Sequence, residues 1–322
     1  MNRRDSKLYR FLKQCETPPC DNSFWLVLNF LFNLFLVLLG RCLIKKKGIG
    51  KKHESLHILM STKNIGDLPF LYRNLDELQK ENGFCNLTII ADKMFLKPLQ
   101  ALGIYNIMIA PFWEIMALDK AVQLYPNQYP NIVMSQPWYF FGMKNINSYA
   151  KVRSLPCNIS KETIQRLFTK TEMRGNSVIL SPYEQTISIY GLELLPLIFW
   201  NNLAICLKKK GFFVFTNCNG KTEKPIAGTS VFFPKMDELA GAVEYAGYCV
   251  SMRSGFTDWI SSANLKREVV LYPTRRFFEY YSVKLLWGKN SALEYIYSES
   301  DKNYDEIVEM IVDYFTNGDD IK

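Results

Sequence analysis

The chain has 322 residues, 48% of them hydrophobic and 22% charged. That excludes a disordered polypeptide and leaves room for two domains. The formal net charge of +8 sits wholly in residues 1–52, with eleven Lys and Arg against three acids. The remaining residues are formally neutral, which argues against a nucleic-acid partner.

Residues 1–52 enclose an apolar run, Phe24 to Leu39, interrupted only by Asn29 and Asn33 and resumed at Cys42-Leu43-Ile44. A helix from Ser23 to Ile44 would be about 33 Å long, enough to cross a bilayer. Asn29 and Asn33 are four apart and share a face, a polar stripe suited to headgroups if the helix lies in the interface. Residues 1–52 are therefore expected to attach the protein to a membrane, spanning it or lying in its plane; a buried core helix is the alternative. No small-x-small site follows the run, against a cleaved signal peptide.

The next segments alternate. Leu56 to Ser61 reads as a strand, Leu68 to Glu81 as a helix and Leu87 to Ala91 as a strand. Lys93 to Leu102 is a helix stopped by Gly103, and Ile107 to Ala110 a third strand. Residues 111–175 look irregular apart from a capped helix at Ser160 to Lys170. Alternation resumes with a strand at Ser177 to Ser181, a helix at Pro196 to Lys210, and strands at Phe212 to Thr216 and Val231 to Phe233. A helix at Asp237 to Ala246 leads into Tyr248 to Pro273, a strand, a Ser254-Gly255 turn, a helix of about three turns and a buried strand. Ser300 to Phe315 is an amphipathic terminal helix. Alternation of this kind predicts parallel sheets with right-handed crossovers. The expected organisation is a membrane-associating segment at 1–52, Rossmann-like domains at 53–175 and 176–290, and a helix at 291–322 packing back on the core.

The Tyr248–Pro273 unit carries the most chemistry. Open α/β sheets bind ligands beyond the carboxyl ends of their strands, where helix starts direct free N–H groups at the crevice. Arg253 adds a fork suited to phosphate, so Arg253, Ser254 and Gly255 read as an anion site, suited to a diphosphate. The structural alternative is an Arg in a salt bridge and a Ser that merely caps a helix. Trp138, Tyr139 and Phe140 read as an aromatic platform or a packed loop, and Phe233-Pro234 as core.

Missing motifs narrow the chemistry. No Gly-x-Gly-x-x-Gly occurs, so no dinucleotide cofactor is expected. Gly220-Lys221-Thr222 imitates the end of a P-loop, but Phe215 stands at its first glycine position. Eight scattered cysteines without a Cys-x-x-Cys pair, and only two histidines, fit a reducing compartment and no metal site.

Two segments resemble a known family. Ser61-Thr-Lys-Asn-Ile-Gly66-Asp67-Leu-Pro69 is similar to the first-domain loop of heptosyltransferase-like GT-B glycosyltransferases (glycosyltransferase family 9), which build bacterial surface polysaccharides. Val178-Ile-Leu-Ser181-Pro182 and Arg253-Ser254-Gly255…Asp258 resemble their donor-domain elements. The Arg-Ser-Gly element is also similar to some fucosyltransferase-like proteins. The family usually carries a phosphate-binding Lys after the first donor-domain strand, where this chain has Glu184, Gln185 and Thr186.

The resemblance implies two Rossmann-like domains facing across a cleft. It implies metal-independent, inverting sugar transfer from a nucleotide-sugar to a lipid-linked or growing saccharide, at the cytoplasmic face of a bacterial inner membrane. Asp67 matches the family's base, though an acidic helix cap is its plain alternative. Arg253, Ser254, Gly255 and Thr257 would hold the diphosphate, with Asp258 orienting Arg253 or accepting hydroxyls, and Ser181 and Glu184 on the donor side. Gly66 and Trp138 would face the acceptor. A polysaccharide pyruvyl transferase and a non-catalytic scaffold share the same expected fold.

Overall fold

The structure is a computed structural model and describes residues 23–49, 55–61, 65–81, 83, 86–134, 154–183, 192–299 and 303–317. The chain divides into two compact units. One comprises Met1–Lys63, Asp76–Gln100 and Ile104–Gly142; the other comprises Asn64–Leu75, Ala101–Gly103 and Met143–Lys322. Each contains one parallel Rossmann-like sheet.

The first sheet has four strands: β1 (Ser55–Leu59), β2 (Asn86–Ala91), β3 (Ile107–Ile109) and β4 (Ile132–Met134), in the order β3-β2-β1-β4. Its buried residues pack against the long N-terminal helix α1 (Ser23–Lys47) and a second helix, Phe112–Leu124. The sequence hid this second helix inside a stretch that looked irregular. Seven of its thirteen residues, Ile115–Asp119, Ala121 and Val122, are buried. It lies against the strands on one side and α1 on the other, so the one-sided period that betrays a surface helix is lost. Gly40 of α1 makes the closest approach: a Cβ there would come within 2.0 Å of the Ala117 carbonyl oxygen. Lys47 and Glu114 close the contact with a 2.8 Å ion pair. Asn33 donates to the Asn29 carbonyl and to its Oδ1, both at 2.9 Å, so these amides satisfy each other within the helix.

The second sheet has six strands. They are β5 (Ser177–Ser181), β6 (Phe213–Asn217), β7 (Ser230–Phe232), β8 (Gly247–Met252), β9 (Arg267–Tyr272) and β10 (Leu293–Ile296). Their order is β10-β9-β8-β5-β6-β7. Two helices, Leu197–Lys209 and Tyr304–Thr316, form one continuous core with its buried side chains. The terminal helix contributes Ile307, Val308, Ile311, Val312 and Phe315, each worth roughly 1.5–3 kcal/mol of burial. Asn303 caps it with a reciprocal capping box through Glu306. The expected helix at Ser160 to Lys170 shortens to Lys161–Leu167, with Ser160 as its cap.

Candidate functional site

Chain order in the second sheet reverses between β5 and β8, since β6 and β7 lie to one side and β9 and β10 to the other. The carboxyl ends of β5 and β8 are therefore where an open α/β sheet forms its ligand crevice. Ser181 and Ser251 are register partners there. Ser181 is buried and accepts a 3.0 Å hydrogen bond from Asn217 Nδ2, a partner with no motif to announce it.

Past β8 the structure departs from the sequence expectation. Arg253 is only 3% exposed. Its Nη1 and Nη2 donate to the two Asp258 carboxylate oxygens at 3.0 and 2.7 Å. Nη1 also reaches the Ser254 carbonyl at 2.6 Å and Thr257 Oγ1 at 2.8 Å, and Nε donates to the Tyr281 carbonyl at 2.7 Å. Trp287 Nε1 donates to Asp258 Oδ1 at 2.8 Å. Burial opposes the guanidinium charge most strongly, but the Asp258 carboxylate together with Tyr272 and Tyr281 offsets it and holds the Arg253 pKa above its usual range. The fork expected to grip a diphosphate is thus spent on the protein itself. A buried guanidinium needs an ionic partner, and Asp258 lies five residues away on the same turn. Thr257 and Asp258, 1% and 4% exposed, belong to this internal clamp.

The helix after Arg253 is also shorter than expected. It runs only from Gly255 to Trp259, because Ser261, Ser262 and Asn264 favour turns over helical backbone. Ser254 is its N-cap and accepts from Phe256 N at 3.3 Å. The structural alternative weighed for the Arg-Ser-Gly element, a salt bridge and a cap, describes what these side chains do.

What the clamp presents is the Ser254-Gly255 turn, and the segment seated on that turn is Ile65–Asp67. Gly66 and Gly255 meet backbone to backbone: a Cβ on Gly66 would come within 2.7 Å of the Gly255 Cα. Trp259 Nε1 donates to the Ile65 carbonyl at 3.2 Å. The next helix, Leu68–Glu81, places the Phe70 ring 4.4 Å from Trp287 and the Arg73 guanidinium 4.6 Å from the same indole. Gly66, Asp67, Ser254 and Gly255, all half-buried, are brought together, with Ser181 at the neighbouring strand end. Trp138 and Glu184 lie outside the described residues.

The bridging Trp259 and Trp287 side chains and the Tyr281 carbonyl carried no local signal. Each acts on residues far from it in sequence.

No family model matches the chain, and no curated protein matches it. Solved structures do. ADP-heptose LPS heptosyltransferase II of Escherichia coli superposes with a TM-score of 0.55 at 13% identity, over 80% of this chain and 97% of its own. The fold is that of the heptosyltransferase-like GT-B glycosyltransferases. A family 9 glycosyl transferase of Veillonella parvula agrees, with a TM-score of 0.50 at 12% identity over 80% of this chain and 91% of its own. At such identities, likeness to the heptosyltransferase-like GT-B fold speaks for the backbone plan, and the chemistry must be argued from this chain's own residues.

Proposed function

We propose that the chain is a glycosyltransferase moving a sugar from a nucleotide-sugar donor to a lipid-linked or growing saccharide. The seating of Gly66 on Gly255 carries the proposal, because it sets a half-buried acid, Asp67, beside the turn at the carboxyl end of β8. The GT-B plan supports it: solved glycosyltransferases share the fold over nearly their whole length. The donor's diphosphate would lie beside the half-buried Ser254 and the end of β5. Arg253 and Asp258 act as positioning residues that hold the turn, in place of the direct contact the sequence suggested. Asp67 would take the acceptor hydroxyl's proton as a bond forms to the sugar's anomeric carbon and the nucleoside diphosphate departs, with inversion and without a metal. Helix α1 would keep the enzyme at the cytoplasmic face of a bacterial inner membrane, near a lipid-linked acceptor.

Asp67→Asn keeps the shape of the turn and removes the base. Transfer should fall by about 10²- to 10⁴-fold with donor affinity unchanged. Full transfer by this variant would remove the assignment. The inward commitment of Arg253 favours one second reading, a non-catalytic module that uses this fold as a scaffold. Titration with a panel of nucleotide-sugars separates the two, since a scaffold binds none of them.

A further inference from the structure

Helix α1 has two faces with different surroundings. Leu36, Val37, Gly40, Leu43 and Ile44 are buried, with Gly40 against Ala117 of the Phe112–Leu124 helix. Val27, Phe30, Leu31, Leu34, Phe35 and Leu38 follow the helical period along the other face and are 44–67% exposed. The same stripe continues into Arg41, Cys42 and Lys45, also exposed. A contiguous apolar patch of this kind marks a contact surface.

The packing of α1 limits how deep it can go. From Phe32 onward one face of the helix rests on protein, in one core with Leu59 and Ile90 of the sheet. The exposed stripe on the other face, Val27 to Leu38, is about 18 Å long, well short of a hydrocarbon core of about 30 Å. It is long enough for a single leaflet. A helix lying in the interface would set this stripe in the acyl region and Arg41 and Lys45 at the phosphate plane of the same leaflet.

At the cationic end, Arg41, Lys45, Gln128 and Tyr129, with Ile44 and Ile49, line a recess of about 370 Å³. The Arg41 guanidinium stands 5.0 Å from the centre of the Tyr125 ring. Among the described residues, no carboxylate pairs with Arg41 or Lys45; Lys47 is the α1 cation paired, with Glu114. Two cations, an amide and a phenol around one recess offer what a phosphodiester accepts: charge and several hydrogen-bond donors. We propose that this recess binds the headgroup of an anionic phospholipid in the one leaflet that receives the Phe30–Leu38 stripe. The inference rests on the membrane attachment proposed above and specifies its depth and its lipid class.

The test uses the full chain and two kinds of vesicle, phosphatidylcholine alone and phosphatidylcholine containing phosphatidylglycerol. Wild type should bind both and prefer the second. R41Q/K45Q should weaken binding to the anionic vesicles by about 30-fold, the combined worth of two basic side chains at such a surface, and leave binding to the neutral ones unchanged. Gln128→Ala, which changes no charge, should also weaken binding selectively on anionic vesicles. Alkylation of Cys42, at the rim of the recess, should be slowed more by anionic than by neutral vesicles at equal bound fraction. All of these positions are exposed, so unchanged melting curves will show that the variants fold. Wild type bound equally to both vesicles, or Q128A bound like wild type with Cys42 protected no more by anionic than by neutral vesicles, overturns the headgroup site and leaves the anchor standing. Wild type that binds neither vesicle overturns the membrane attachment itself, and F30E/L34E released from both supports it.

Discussion

Removing the Asp258 carboxylate should unfold the second unit more readily than any surface change, while the effect on donor binding follows only from the loss of structure. In Asp258→Ala the Arg253 guanidinium stays 3% exposed and loses both of its charged hydrogen bonds, at 2.7 and 3.0 Å. Trp287 Nε1 loses its 2.8 Å acceptor as well. Breaking a buried pair by deleting one partner costs about 3–5 kcal/mol, because the other charge is left uncompensated. For a unit of this size each kcal/mol lowers Tm by about 2–4 °C, so a fall of roughly 6–20 °C is expected. Urea titration followed by tryptophan fluorescence measures the loss directly. A double variant, R253M/D258L, removes both charges together and should recover most of the stability. Should Asp258→Ala cost less than about 1 kcal/mol, the guanidinium must be hydrated and free to turn outward, and Arg253 returns as a candidate ligand for phosphate.

Two further outcomes follow from the same geometry. Gly66→Ala places a Cβ 2.7 Å from the Gly255 Cα, where only backbone can yield; a cost of about 1–3 kcal/mol is expected, and transfer should fall further than stability because Asp67 moves with the turn. Wild-type transfer by this variant would refute the close seating. Acid should loosen the tie between Ser160 and the helix at Leu239–Ala246. Burial pushes the Glu238 carboxyl up, but hydrogen bonds from Ser160 N at 2.8 Å and Thr163 Oγ1 at 2.5 Å pull it down further, below its ordinary value of 4.5. A lowered folded-state pKa contributes stability above the unfolded value and loses it as pH falls through the folded one. Glu238→Gln should therefore flatten the stability profile below pH 4.5, and an unchanged acid limb would count against the tie.

The alternation of strands and helices was readable because strands such as Val178–Leu180 and Val269–Leu271 are short apolar runs bounded by polar residues. The Phe112–Leu124 helix was not, because burial on two sides removes the asymmetry that pattern reasoning needs. Arg253 shows a different limit. A phosphate ligand and an internal clamp need the same local letters, Arg-Ser-Gly with an acid five residues on. Trp287 and Tyr281 decide between them, and they enter from helices Val283–Trp287 and Arg275–Tyr281, which the sequence did not signal. The Gly66–Gly255 contact was equally silent, although both glycines stood out as site candidates.

The membership of Asn64–Leu75 in the second unit bears on how this protein can be divided. A polypeptide beginning at Met143 would carry all six strands of the larger sheet, yet it would lack Phe70 and Arg73, which cover the indole of Trp287, and Gly66, which covers Gly255. Splitting the gene product at its apparent midpoint would strip a lid of native residues from the very corner where chemistry is sought. An inactive or sticky half-molecule would then report a missing piece and say nothing about whether the intact chain works.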